Sequence, residues 1–83
     1  MESKDLLFRL LYRALIDIRM ASMDGNVRAT GEISNLVHNV PLAMINSDAD
    51  DVLNKLAERA QVLGMSSWLQ TALKDISQND GAD

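Results

Sequence analysis

Few side chains in this sequence have the types and the spacing that chemistry requires. His38 is the only histidine among the 83 residues, and the chain contains no cysteine. A transition-metal site around His38 would need further imidazole or thiolate ligands, which the sequence does not offer. His38 follows Val37 at the edge of an apolar helical stripe. We therefore expect a surface or boundary histidine rather than a metal ligand or a general base.

Three aspartates, Asp48, Asp50 and Asp51, form the densest group of potential metal ligands. An EF-hand calcium loop starting at Asp48 would need a glycine at its sixth position and a glutamate at its twelfth. Those positions hold Leu53 and Arg59. We interpret the aspartates instead as first-turn residues of a helix, where the helix dipole favours negative charge.

No motif typical of an enzyme is present in the sequence. It has no G-x-S-x-G segment, no glycine-rich phosphate loop and no carboxylate pair in a recognisable context. The sequence therefore predicts a non-enzymatic protein, with no catalytic residue, no metal, no cofactor and no small-molecule substrate.

The element that organises the chain is the apolar segment 6–23, which is predicted to form a long central helix. At 100° per residue, five apolar residues fall on one narrow line, which Leu10, Leu15 and Phe8 widen. The five are Leu7, Leu11, Ala14, Ile18 and Ala21. Gly25 is predicted to end the helix, because glycine enters the left-handed conformation without steric cost.

A second apolar stripe lies on the charged side of the same helix and consists of Tyr12, Ile16, Met20 and Met23. Either the helix packs against neighbours on two sides, or the stripe contacts another chain, including a second copy of itself. The interfaces of obligate dimers resemble a core cut in half, and methionine adapts to irregular partner surfaces. Trp68 is either an interface anchor or a residue that closes the core while its indole N–H donates to a carbonyl.

Three shorter helices are predicted after the first one. They cover about 27–39, the segment between Ser47 and Gly64, and about 67–77, while 78–83 is predicted to be a disordered tail.

Capping signals refine these boundaries. Ser3 and Ser47 are the predicted N-caps of the first and third helices, and Thr30 is an alternative start for the second. The buried face of the third helix is predicted to include Leu63, and Gly64 is predicted to end that helix as Gly25 ends the first. Met65 is assigned to the link that follows.

The segment 42–46, LAMIN, is ambiguous. Five mostly apolar residues fit a helical turn, a buried connector or a short strand. Pro41 either closes the preceding helix, by disfavouring helical geometry at Val40, or begins a helical turn.

Length and charge limit the class of protein. A chain of 83 residues is one domain, here 1–77, near the size at which a single core becomes marginal. Charged residues interrupt the first apolar segment, which excludes a secretory signal and a membrane span. The absence of cysteine fits a cytoplasmic location. The net charge of −4 lies wholly after Ser47, which disfavours nucleic acid and anionic membranes as partners.

The run 52–76 resembles the helix–Gly–Ser–helix half of ribbon–helix–helix repressors. The shared residues are Leu53, Leu56, Ala57, Gly64, Ser66, Leu69, Ala72 and Leu73. The resemblance implies that LAMIN is a strand that pairs with a second subunit and enters the DNA major groove. Ala60, four residues before Gly64, is also similar to the helix-turn-helix pattern. The aspartates that open the third helix would face DNA phosphates unfavourably.

The sequence as a whole predicts an all-α protein, a compact four-helix bundle with a long central N-terminal helix and short loops. The function we expect is protein–protein interaction or regulation through an apolar helix surface, including homodimerisation. The predicted partner-binding residues are Tyr12, Ile16, Met20, Met23 and Trp68. The alternatives are a DNA-binding regulator that uses residues 42–76 and an inhibitor or toxin-neutralising partner protein.

Overall fold

The computed structural model describes the backbone of residues 1–82 and the side chains of residues 1–78. Five helices follow one another in this part of the chain. They are α1 (Ser3–Met23), α2 (Val27–Val37), α3 (Val40–Asn46), α4 (Ala49–Val62) and α5 (Ser66–Ala82). The all-α prediction is confirmed, with α3 as a short addition to the four predicted helices. The predicted tail, 78–83, falls mostly outside the described side chains.

The core is a single cluster to which every helix contributes. Its buried members are Leu7, Leu10, Ala14, Ile33, Leu36, Val37, Val40, Val52, Leu56, Ala60, Met65, Leu69, Ala72 and Ile76. α1 packs against α2, α4 and α5, which gives it the predicted central position. One prediction at the end of α4 is wrong, because Leu63, assigned to the buried face, is 36% exposed. Met65 lies in the link between α4 and α5, as predicted, and its side chain is buried in the core.

Glycine ends α1 and α4 in the same way. Gly25 and Gly64 have φ angles of 74° and 72°, as the sequence predicts for residues that follow a helix. After α1, the Asn26 N–H donates to the Ala21 carbonyl at 2.8 Å, and the Gly25 N–H donates to Ser22 at 3.1 Å. This pair of bonds is a Schellman motif, and it satisfies carbonyls that the helix end would otherwise leave unpaired.

The serine caps predicted for α1 and α4 are wrong by one residue. α1 begins at Ser3 with Glu2 at the N-cap, and Ser3 Oγ donates to the Asp50 carboxylate instead. Asp48 is the N-cap of α4, while Ser47 ends α3. Each serine stands next to an acidic residue that also suits a helix start, so composition alone does not choose between them.

The start of α2 is fixed by Asn26, which the sequence analysis did not identify as a cap. The Asn26 side chain accepts a hydrogen bond from the Ala29 N–H at 3.0 Å. Thr30, the alternative cap, lies inside the helix and donates its hydroxyl to the Asn26 carbonyl.

The ambiguous segment 42–46 is helical. It belongs to α3, and Pro41 lies in the first turn of that helix, where its missing N–H has no intrahelical partner to lose. Val40 is buried and Ile45 is 80% exposed. No strand forms in residues 1–82, so the strand that the ribbon–helix–helix resemblance implies is absent there. Among the described helices, none has the length and apolarity that a membrane span requires.

Candidate protein-interaction surface

The most unusual surface of the molecule is the outer face of α1, which we define by six large apolar side chains. They are Phe8 (54% exposed), Tyr12 (69%), Leu15 (64%), Ile16 (41%), Met20 (54%) and Met23 (70%). Four of them are the stripe that the sequence analysis singled out. Since none is buried, the interpretation in which a second neighbour of the same chain covers this stripe does not hold for the described structure.

Phe8 and Leu15 belong to this face, although the sequence analysis placed them beside the buried line. They lie about 120° and 100° around the helix from Ala14, the centre of the buried side. α2, α4 and α5 cover a narrower arc of α1 than its apolar residues span. Leu11 and Ile18 are therefore partly buried, whereas Phe8 and Leu15 are exposed. Ala14 and Leu7 are completely buried on the opposite side.

The outer face also has the spacing of a coiled-coil seam. Phe8, Tyr12 and Leu15 are separated by four and three residues, which is the a/d repeat that faces a partner helix. The same repeat continues to Asp5 before Phe8 and to Arg19 after Leu15. Both charged residues are exposed, and neither has a side-chain hydrogen bond or ion pair to another described residue. An apolar centre therefore lies between an acid at one end and a base at the other.

A groove of about 1000 Å³ adjoins the amino end of the outer face, and Phe8 belongs to both. Its apolar lining includes Met1 and Phe8 from the amino end of the chain and Pro41, Met44 and Ile45 from α3. The exposed residues Asp48 and Asp50 also line it. The groove extends the apolar surface of α1 toward α3.

Trp68 lies at the contact between α5 and α1. Its indole Nε1–H donates to Asp17 Oδ2 at 2.8 Å, and the ring packs partly buried against the core. The acceptor is a carboxylate rather than the carbonyl that the sequence analysis expected. The structure thus brings Tyr12, Ile16, Met20 and Met23 together but engages Trp68 within the fold.

Asp17 also belongs to an ion-pair group that joins the same two helices. Arg13 contacts Asp17 one turn further along α1 at 3.1 Å and Asp75 of α5 at 2.9 Å. The hydrogen bond to Asp75 raises the pKa of Arg13 above its ordinary value, against the opposing effect of burial, and Asp17 adds to the rise. A cation whose pKa is higher in the folded than in the unfolded state stabilises the fold at pH values below its unfolded-state pKa. This stabilisation is lost only as the pH rises through the folded-state pKa. Arg13 therefore stays charged throughout the neutral range.

The other candidates for chemistry are ordinary surface groups. His38 is exposed, and its Nδ1 lies 3.0 Å from the Asn35 carbonyl one turn earlier. Asp48, Asp50 and Asp51 are exposed at the start of α4. Within the described residues, no three histidine or acidic side chains lie close enough together to hold a metal ion.

Comparisons of the chain with protein-family models, with curated proteins and with solved structures give no match. The outer face of α1 must therefore be interpreted from its own chemistry.

Proposed function

We propose that this protein is a small non-enzymatic interaction module that associates through the outer face of α1, with homodimerisation as its form of association. The single observation that carries the proposal is the exposure of six large apolar side chains on one helix face. Contiguous apolar patches on monomeric proteins rarely exceed a few hundred Å², and larger ones mark interaction sites.

The size of the face supports the same proposal. Aromatic side chains bury about 150–250 Å² each. The six side chains of the outer face are of comparable size, and each is roughly half exposed or more. Together they offer on the order of 600 Å² of exposed apolar surface to a partner. A standard interface takes about 800 Å² from each partner. The outer face and its charged borders approach that area without any rearrangement of the core.

The composition of the face also fits an interface. Aromatic residues, methionine and arginine are enriched at protein–protein interfaces relative to the remaining surface. The outer face contains one phenylalanine, one tyrosine and two methionines, and Arg19 borders it. Met20 and Met23 can adapt their rotamers to a partner surface.

The DNA-binding alternative has less support. Three aspartates open α4, in the helix pair that would have to approach the phosphates, and α3 occupies the place of the required strand. For an inhibitor or toxin-neutralising role, the acidic second half of the chain is compatible but not specific.

The proposal is tested by sedimentation equilibrium of the full chain and of three aspartate variants. Ile16→Asp and Met20→Asp place a charge on the outer face, where association would have to desolvate it. We expect both variants to keep the helical circular dichroism of the wild type and to be monomers at concentrations where the wild type is a dimer. The matched control is Val62→Asp, which changes an apolar residue of α4 that is 84% exposed. We expect this control to remain dimeric.

Two outcomes would overturn the proposal. If the wild type is a monomer up to about 1 mM, which corresponds to about −4 kcal/mol of association, self-association through this face is excluded. If Ile16→Asp and Met20→Asp unfold the chain, while Val62→Asp does not, the face is part of the core and offers no surface for a partner.

A further inference from the structure

We infer that the partner of the outer face is a second copy of this chain whose α1 runs antiparallel, with Asp5 of each copy beside Arg19 of the other. This inference rests on the proposed function and adds the orientation and register of the interface. It comes from the order of charges along the face.

The polarity of the face decides the orientation. Asp5 and Arg19 occupy the same seam as Phe8, Tyr12 and Leu15, at opposite ends and about 21 Å apart along the helix axis. A parallel pair would place aspartate against aspartate and arginine against arginine. An antiparallel pair brings both acids to both bases. Charged residues that face each other across a pair of helices select the orientation of the pair in this way.

The register follows from the same residues. Asp5 of each copy meets Arg19 of the other only if the twofold axis passes near Tyr12. The aromatic and aliphatic side chains then lie at the centre of the interface, and the ion pairs lie at its rim. Fully desolvated apolar anchors surrounded by a polar rim are the usual arrangement of an interface. A twofold interface also uses the same patch on both copies, so one outer face per chain is sufficient.

The described chain gives these two charges no competing partner of its own. Neither Asp5 nor Arg19 has a side-chain hydrogen bond or ion pair with another residue in the described range. The nearby Arg13 and Asp17, by contrast, are engaged with each other and with α5. The pairing across the dimer would thus not disrupt an interaction within the fold.

Charge reversal tests the inference, with the dimer dissociation constant measured by sedimentation equilibrium at low salt. Asp5→Arg and Arg19→Asp each replace two attractive contacts by two repulsive ones, and we expect each to weaken the dimer about tenfold. The double variant restores both contacts in exchanged positions. We expect its dissociation constant to return to within about threefold of the wild type.

A distance measurement tests the orientation independently. Because the chain has no cysteine, Asp24→Cys introduces one spin-label site, at the end of α1 and outside the seam. Asp24 lies 12 residues beyond Tyr12, or about 18 Å along the helix from the twofold axis. We therefore expect a distance of about 37 Å between the two labels of an antiparallel dimer, and about 10 Å for a parallel one.

The outcomes separate this inference from the proposed function. Three results would overturn the antiparallel register. They are single charge reversals that leave the dissociation constant unchanged, a double variant that binds no more tightly than the single variants, and a label distance near 10 Å. If Ile16→Asp still dissociates the dimer in that case, the outer face stands as the interface. A dimer that survives Ile16→Asp and Met20→Asp, or a wild type that is monomeric, would overturn both.

Discussion

Gly25 and Gly31 occupy different backbone conformations, so the same substitution is expected to have opposite effects on them. Gly25 has a φ of 74°, whereas Gly31 lies within α2, and an added Cβ would meet no atom within 4 Å at either position. Gly25→Ala should lower the free energy of unfolding by about 1 kcal/mol through left-handed strain. Gly31→Ala should raise it by about 1 kcal/mol through helix propensity. Urea denaturation measures both changes.

Gly64→Ala is the matched control for this pair, because Gly64 ends α4 with a φ of 72°. We expect it to behave like Gly25→Ala. Changes of the same sign at Gly25 and Gly31 would contradict the assignment of backbone strain to the helix ends.

The capping residues show how far local sequence determines structure at the residue scale. Gly25 and Gly64 were predicted correctly, because few other residues tolerate a positive φ. Ser3 and Ser47 were each misplaced by one position. Several residue types can occupy an N-cap with similar free energies, so tertiary contacts, such as the one between Ser3 and Asp50, influence the choice.

At the scale of elements, the contact between α1 and α5 depends on one carboxylate. Asp17 accepts from both Trp68 and Arg13. We expect a double-mutant cycle of Asp17→Ala and Trp68→Phe to give a coupling free energy of about 1 kcal/mol, because the bond involves a charged acceptor that is partly shielded from water. The free energies of unfolding come from urea titrations followed by the fluorescence of this single tryptophan and, for Trp68→Phe, by circular dichroism.

The control is a second double-mutant cycle, in which Asp75→Ala takes the place of Asp17→Ala and is combined with Trp68→Phe. Asp75 accepts a hydrogen bond from Arg13. No hydrogen bond joins Asp75 to Trp68 among the described side chains. We expect its coupling to Trp68 to be below about 0.3 kcal/mol. Equal coupling in the two cycles would mean that general electrostatics, rather than the indole hydrogen bond, links the helices.

The existence and order of the four longer helices could be predicted from periodicity, but the limits of the buried arc on α1 could not. Apolar residues cover most of this helix, so periodicity located its centre near Ala14 and not the edges at Phe8 and Leu15. Those edges depend on where α2, α4 and α5 pack. The helix at 42–46 was undecidable for a related reason, since five residues are too short to show a period.

At the scale of the whole molecule, a small core and a large exposed apolar face favour association together. A chain of 83 residues buries a smaller fraction of its surface than a larger domain does, and its stability is correspondingly low. Burying the outer face of α1 against a second copy would remove more apolar area from water. Each additional Å² would stabilise the folded dimer by about 25 cal/mol. Part of the stability of the folded state would then depend on protein concentration.

This dependence gives a measurable consequence for thermal unfolding. A tenfold rise in concentration stabilises a dimer by about 1.4 kcal/mol, or about 0.7 kcal/mol for each chain. Since 1 kcal/mol shifts the Tm of a domain of this size by about 4–8 °C, we expect Tm to rise by about 3–6 °C for each tenfold step. Ile16→Asp should abolish the slope, and Val62→Asp should preserve it, in scanning calorimetry across a hundredfold range of concentration. A wild-type Tm that does not change with concentration would mean that the outer face contributes nothing to the stability of the folded chain through self-association.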